Sequence, residues 1–465
     1  MDHPREDGGG GGGFVSRALA ELGIVTLCNS HRDVKNLCAQ RFVRLFAYGS
    51  STLVLVLHLQ ALGISKTHIG LFMTLTLWGD VLISFALTLV ADAVGRRVIL
   101  ALGAALMAAS GAVFALCDNF WVLLAAAIVG VISPSGNEIG PFKAITESAI
   151  AHLTDAPSRG DVYAWHTLVG SAGSALGLVA SGWLVHHLSA NLGWQPVDTY
   201  RLVFAGYALA GILKLFLSLL LSPAIEADRK PARPRLTLSE AAPLLARAED
   251  DGDDDCQPPR PSRLRALLPD ISRESYKIVT ALCLLLGIDS FASGLASLSW
   301  LTYFFHWRHG IEEGQLGSIF SLTSAIGALS MLAASSLAKR FGNVRTMVFT
   351  HLPSSLFLAL VGIPSDPRLA LLLLFLRACT QSMDTAPRTA FLAAMILPQE
   401  RTAVMGAVNV VKTMAQSIGP LITGALSDQG LFWVAFLVAG SLKACYDVGL
   451  LVTFKNFESR ESEDE

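Results

Sequence analysis

Arg377, Gln381, Asp384 and Arg388 follow one another at intervals of four, three and four inside an otherwise apolar stretch, 368–396. That spacing sets all four on one face of a helix. A second stretch, 119–150, carries Asn137, Glu138, Lys143 and Glu147. Lys143 and Glu147 are four apart, so they share a face and can pair. A third acid, Asp289, lies in Gly287-Ile-Asp-Ser-Phe-Ala-Ser-Gly294. A charge at the centre of a bilayer costs roughly 2.5–3.5 kcal/mol, so such side chains face a cavity or a partner. Three chemistries fit them. Glu138 or Asp384 can take up and release a coupling proton. Arg377, Arg388 and Lys143 can clamp an anionic group of a solute. Alternatively, Lys143–Glu147 and Arg377–Asp384 are structural ion pairs that hold helices or halves together.

Around Glu138 the residues Pro134, Gly136, Gly140 and Pro141 disfavour a regular helix. A break there would free backbone carbonyls beside a carboxylate, as at many solute sites in membranes. Other polar residues at depth read as structural: Asp80 hydrogen-bonded, His166 in the core, and Lys214, Lys412 and Lys443 paired or reaching to the interface. His306-Trp-Arg-His309 lacks a third ligand nearby, so no metal site is expected. Walker A, Gly-x-Ser-x-Gly and His-Glu-x-x-His patterns are missing, which argues against an enzyme and against a bound cofactor. The scattered cysteines have no CxxC pair and read as small core residues.

These residues must be held by elements that live in lipid. The 465-residue chain is 52% apolar and only 15% charged, with a net charge of −2 and a mean hydropathy of +0.51. Soluble chains carry roughly 25% charged residues. A soluble enzyme, a disulfide scaffold, a disordered regulator and a nucleic-acid binder are all excluded by this balance.

Twelve stretches reach the ~20 apolar residues that a spanning helix needs. They are 41–62, 68–91, 98–117, 119–150, 161–187, 200–221, 276–304, 313–338, 345–363, 368–396, 402–426 and 430–453, here spans 1 to 12. Lys66, Arg201, Arg308 and Arg368 are the only basic residues at one set of connections; about twenty-three lie on the other side, nine of them between 222 and 274. The positive-inside rule therefore puts both termini in the cytoplasm. Residues 1–40 read as a cytoplasmic tail, with 14–39 as an interfacial helix. Residues 222–274, rich in proline and acids, read as a disordered cytoplasmic tether between a six-helix bundle, 41–221, and a second, 275–455. Within the tether Glu240-Ala-Ala-Pro-Leu244-Leu245 fits an acidic-dileucine sorting pattern. Residues 456–465 form an acidic tail.

The two bundles repeat each other. At an offset of 247, Gly63-Ile64, Gly70, Leu75-Thr76 and Gly95 match Gly310-Ile311, Gly317, Leu322-Thr323 and Gly342. At 246, Glu138 and Pro141 match Asp384 and Pro387; at 242, Arg159, Gly177 and Gly182 match Arg401, Gly419 and Gly424. Order is kept and the offset drifts by five residues, which signals a tandem duplication in parallel orientation. The small faces of spans 5 and 11, with Gly170, Gly173, Gly177 and Gly182 in one and Gly419 and Gly424 in the other, are expected to pack against the opposite half.

Asp92-Ala-Val-Gly95-Arg96-Arg97 after span 2 is similar to the loop signature of the major facilitator superfamily, although Thr88 stands where that signature has glycine. Lys339-Arg340-Phe341-Gly342-Asn343 after span 8 resembles its degenerate copy. Arg44-Leu-Phe-Ala-Tyr-Gly49 and Ser133-Pro-Ser-Gly-Asn-Glu-Ile-Gly-Pro-Phe142 resemble a little-characterised group of fungal members. The resemblance covers 41–455. It implies an all-α membrane protein of two pseudo-symmetric six-helix bundles around a central cavity lined by spans 1, 4, 7 and 10. It implies a monomer that moves a small-molecule substrate by alternating access, most plausibly with protons, in a lipid bilayer, the plasma membrane ahead of the vacuolar one. Asp92, Gly95, Arg96 and Arg97 would then form the conformational gate, with Asp92 meeting the N-terminal end of span 11 near Thr402. Gly-Pro occurs in span 11 (Gly419-Pro420) but not in span 5, so the superfamily's antiporter signature is broken. Export of a small organic compound is set slightly ahead of uptake of a nutrient or organic anion; a non-transporting sensor or scaffold is the other class.

Overall fold

The structure, a computed structural model, describes residues 24–130, 132, 141–155, 158–226, 273–396 and 401–464. Asn137, Glu138, residues 227–272 of the expected tether and its dileucine pattern lie outside these; its first residues, 222–226, pack on the first half. In the first half the helices are α1 (Ile24–Asn29), α2 (Arg32–Ala61), α3 (Lys66–Val94), α4 (Arg96–Leu116), α5 (Phe120–Gly130), α6 (Pro141–Leu153), α7 (Arg159–His186) and α8 (Pro196–Leu219). In the second half they are α9 (Arg273–Leu295), α10 (Leu298–His309), α11 (Glu313–Phe341), α12 (Asn343–Val361), α13 (Pro367–Thr380), α14 (Thr385–Met395), α15 (Arg401–Asp428) and α16 (Phe432–Asp464). Spans 7 and 10 are each made of two helices, α9 with α10 and α13 with α14; span 4 contributes α5 and α6, and the residues between them, apart from Ile132, lie outside the described ones. Among the described residues, nine helical stretches are long and apolar enough to cross a membrane. The all-α, two-bundle reading of the sequence describes this architecture.

Two boundaries differ from expectation. Span 1 does not begin at 41: α2 starts at Arg32, and residues 32–39 of the stretch expected as an interfacial helix are the start of α2, while α1 (Ile24–Asn29) is a separate short helix. Val34 and Leu37 are buried against Ile99, Phe142 and Ile145, and that packing extends the helix. Asp33 accepts hydrogen bonds from the Ser222 backbone and hydroxyl, tying α2 to the end of α8. The other difference is the break in span 7, which its apolar sequence conceals.

The duplication is written into the backbone. Gly63 and Gly310 both have positive φ (79° and 64°), as do Gly95 and Gly342 (101° and 84°). Each pair terminates or starts equivalent helices with a conformation that a β-carbon disfavours. Within each half, small residues let helices cross closely. Gly173 and Gly177 of α7 face the backbone of Phe42 and Phe46 of α2, and Gly419 of α15 faces that of Gly294 of α9. Gly170 packs against Arg41 and Leu45, also in its own half. Only Gly182 and Gly424, of the glycines expected at the interface between halves, reach it. Gly182 meets Glu313 and Gly317 of α11; Gly424 meets Lys66 and Gly70 of α3. The two crossings are symmetry copies.

One apolar core joins the halves at the end that carries Gly63, Trp194 and Gly310. It runs without interruption from Leu59, Phe72 and Phe204 to Trp300, Phe304 and Phe432. Hydrogen bonds rim it. Asp428 accepts from the backbone of Lys66 (3.2 Å) and Thr67 (2.8 Å), and Tyr200 donates to Glu313 (3.0 Å). Trp183 donates to Ser318 (2.9 Å). At the other end the cores are separate. Val34, Ile99, Phe142 and Ile225 belong to the first half alone, and Leu282, Met347, Phe391 and Val408 to the second.

Candidate functional site

A cavity of about 360 Å³ opens in the second half, walled by α9 to α16. Asp289, Arg377, Gln381, Asp384 and Arg388 all line it. The polar face read in span 10 therefore points to one place.

The local sequence explains the shape. Pro387 has no N–H to give the carbonyl of Met383, which weakens the helix where span 10 breaks. α13 stops at Thr380 and Gln381–Asp384 form a turn, held by Met383 N to Thr380 O (3.2 Å) and Thr385 N to Ser382 O (3.3 Å). Span 7 breaks at Ala296-Ser297, where Ser297 is extended (φ −62°, ψ 154°). The carbonyl of Leu295 is met by the hydroxyl of Thr423 on α15 at 2.7 Å. Ser299, one residue into α10, donates to Thr52 O of the opposite half (3.1 Å). Irregular backbone at membrane depth survives where protein groups satisfy it or where it lines a cavity, and both breaks do line this one.

The charges interlock. Lys443 of α16 donates to Asp289 Oδ1 (2.6 Å) and to Ser293 Oγ (2.8 Å). Arg388 donates through Nη1 to Asp289 Oδ2 (3.3 Å) and through Nη2 to Asp384. Its guanidinium also lies 5.8 Å from the ring centre of Tyr446. Behind this layer His351 Nδ1 lies 2.8 Å from Asp447 Oδ1, and Ser355 donates to Asp447 Oδ2 (3.1 Å). His351 itself lines the cavity. Removing one member of such a buried set leaves an uncompensated charge, which costs far more than the intact set contributes.

Two expectations change. The structural pair Arg377–Asp384 does not form, because Asp384 turns to Arg388, one helical turn on across the start of α14. Lys143 and Glu147 do pair, at 3.8 Å, but both are more than 40% exposed and neither lines this cavity. The described lining of this cavity comes from the second half, and Asn137 and Glu138 of the expected facing stripe lie outside the described residues. Lys443, His351, Ser293 and Gln416 were not picked out from the sequence as site residues, yet all four line the cavity.

In the first half, Arg44 donates to the Tyr48 hydroxyl (2.9 Å) and stacks 5.0 Å from the ring centre of Phe142. Lys214 approaches the same ring at 5.6 Å. Of the loop signature, Gly95, Arg96 and Arg97 are tied to their own half. The backbone N–H groups of Arg96 (2.7 Å) and Arg97 (3.1 Å) donate to Glu226, placing a carboxylate on the N-terminus of α4 where the helix dipole favours it. The Arg96 side chain donates to Ile225 O and Ser148. Asp92 falls in α3, but its side chain and that of Thr402 lie outside the described residues. Among those residues no three metal-ligating side chains cluster.

Residues 37–308 and 278–463 match the family profile described as the Major Facilitator Superfamily. The chain belongs to the Major Facilitator Superfamily. It is 37% identical over 451 residues to an uncharacterized membrane protein of Saccharomyces cerevisiae, covering 95% of this chain and 98% of that one. The fungal relationship expected from its motifs is thus present. The superfamily fold is seen in solved structures at low identity. The nucleoside transporter NupG matches with a TM-score of 0.66 at 14% identity, over 91% of this chain and 100% of its own. The inward-open xylose transporter XylE from E. coli matches with 0.63 at 15%, over 90% and 95%. Superfamily membership makes this an integral, multi-pass membrane protein of transporter type, not an enzyme.

Proposed function

We propose that the protein is a secondary active transporter that carries a small solute by alternating access and couples it to protons. The observation that carries this reading is the charged cavity walled by two broken helices. It lies in a molecule whose halves share one core at one end and have separate cores at the other. With the basic connections in the cytoplasm, the joined end is the outer one, both termini are cytoplasmic, and the conformation is inward-facing. The membrane is the plasma membrane and the working unit a monomer. Asp289 and Asp384 suit coupling because protonating either would release Arg388 or Lys443, and so loosen spans 7, 10 and 12 from one another. The gate residues Asp92, Gly95, Arg96 and Arg97 would engage span 11 when the cytoplasmic end closes. Glu138, Asn137, Lys143 and Glu147 would complete the solute path from span 4.

Two spin-label pairs test this in nanodiscs: His68 with Gln429 at the outer end, and Val94 with Arg340 at the inner end. Between pH 7.5 and 5.5, or with a transported solute, the outer distance should lengthen while the inner one shortens. Distances fixed under every pH and solute would sink alternating access and favour a sensor or scaffold.

A further inference from the structure

We propose that the solute is a small organic anion, and that Arg377 is the residue that anchors its carboxylate or phosphate group. This rests on the transport reading and names the class of cargo for the same cavity.

The case begins with which charges are already matched. Lys443 and Arg388 face Asp289 and Asp384, two cations against two acids. The other acid nearby, Asp447, is engaged by His351 and Ser355. Arg377 lines the same cavity, and its guanidinium makes no ion pair or hydrogen bond among the described residues. Lys443, a like charge, lies within its electrostatic reach. Lys412 adds to the excess. It sits on α15 one turn before Gln416 of the cavity wall, and forms no ion pair among the described residues. Arg388 and Lys443 lie within its electrostatic reach, as do Asp289, an acid already doubly paired, and Lys143, itself paired with Glu147.

A guanidinium at membrane depth without an acceptor is costly, and its planar fork matches a carboxylate or phosphate. Gln381, one turn from Arg377, and Gln416 offer amides beside it. Leu301, Phe320 and Leu374 add apolar surface to a lining made mostly of polar side chains. At roughly 30 Å³ per water, the volume holds about a dozen water-sized groups. The cavity thus suits one anionic head on a small organic body. Neutral solutes would leave Arg377 unmatched, and cations would meet a surplus of positive charge.

The test uses the full-length chain with its native cysteines replaced, in nanodiscs. Ser324→Cys places a thiol on the cavity wall with little change of volume; His68→Cys gives a solvent control. Each is treated with an anionic sulfonatoethyl and a cationic trimethylammonioethyl methanethiosulfonate. The anionic-to-cationic rate ratio should be at least tenfold higher at position 324 than at 68. Arg377→Gln should bring the two ratios within about twofold, while Arg377→Lys keeps the difference. Benzoate at 10 mM should slow modification at 324 at least threefold when Arg377 is present, and benzamide should not. A ratio at 324 no higher than at 68, a ratio unmoved by Arg377→Gln, or no distinction between benzoate and benzamide overturns the proposal. The spin-label distances do not depend on Arg377. If they move while the reagent ratio is flat, the anion is wrong and transport stands; if they stay fixed, transport fails whatever the ratio.

Discussion

The two halves share a scaffold and differ in what they do with charge. In the first half, two buried cations, Arg44 and Lys214, flank the ring of Phe142. In the second, Arg388 and Lys443 grip Asp289 and Asp384 at the edge of a cavity. The glycine crossings Gly182–Gly317 and Gly424–Gly70 are meanwhile copies of each other. Duplication has kept the close backbone crossings between the halves and has let their buried charges diverge. If Arg377 anchors the solute as proposed, the anionic group is held by the second half, and span 4 of the first completes the path.

The largest test of that contrast is Asp289→Asn. It leaves Lys443 and Arg388 with one acid between them, and should cost about 3–5 kcal/mol of stability, read by chemical unfolding in detergent. Adding Lys443→Met should recover part of the loss, because the unmatched charge goes with it. A single mutant as stable as the native chain would mean that water in the cavity already screens the set.

Gly182→Leu and Gly424→Leu come next. Each drives a side chain into the backbone of the opposite half, and overpacking of this kind costs about 1–3 kcal/mol. Because the crossings are symmetric, both should lengthen the His68–Gln429 distance, and by similar amounts. Unequal responses would show that one crossing dominates the outer closure.

Phe142→Leu is the smallest. It keeps an apolar side chain but removes the aromatic face shared by Arg44 and Lys214, worth about 1–2 kcal/mol. Thermal unfolding should fall modestly and the reagent ratio at position 324 should not move. A shift in that ratio would bring the first half into solute recognition.

Much of this was legible in the chain. Apolar length sets the spans, and offsets of 242 to 247 locate the repeated glycines before any coordinates. The stripe Arg377, Gln381, Asp384 and Arg388 could be read because polar residues at helical spacing stand out in an apolar segment. Partners were less visible. His351 and Asp447 are 96 residues apart on helices that the fold class treats as peripheral, and no periodicity links them. Lys443 could be read only as something that pairs. Asp384 lies within reach of two arginines along its own segment, and the turn at Gln381–Asp384 decides for Arg388. The break in span 7 was hidden because Ala296-Ser297 carries neither proline nor glycine; a threonine on another helix stabilises it.

The single core that joins the halves has a thermal consequence. Parting Phe72 and Phe204 from Trp300 and Phe432 exposes apolar surface to water, so opening that end carries a positive heat-capacity change. Its equilibrium is therefore curved in temperature. Apolar association weakens on cooling, and cold favours the form in which this end stands open.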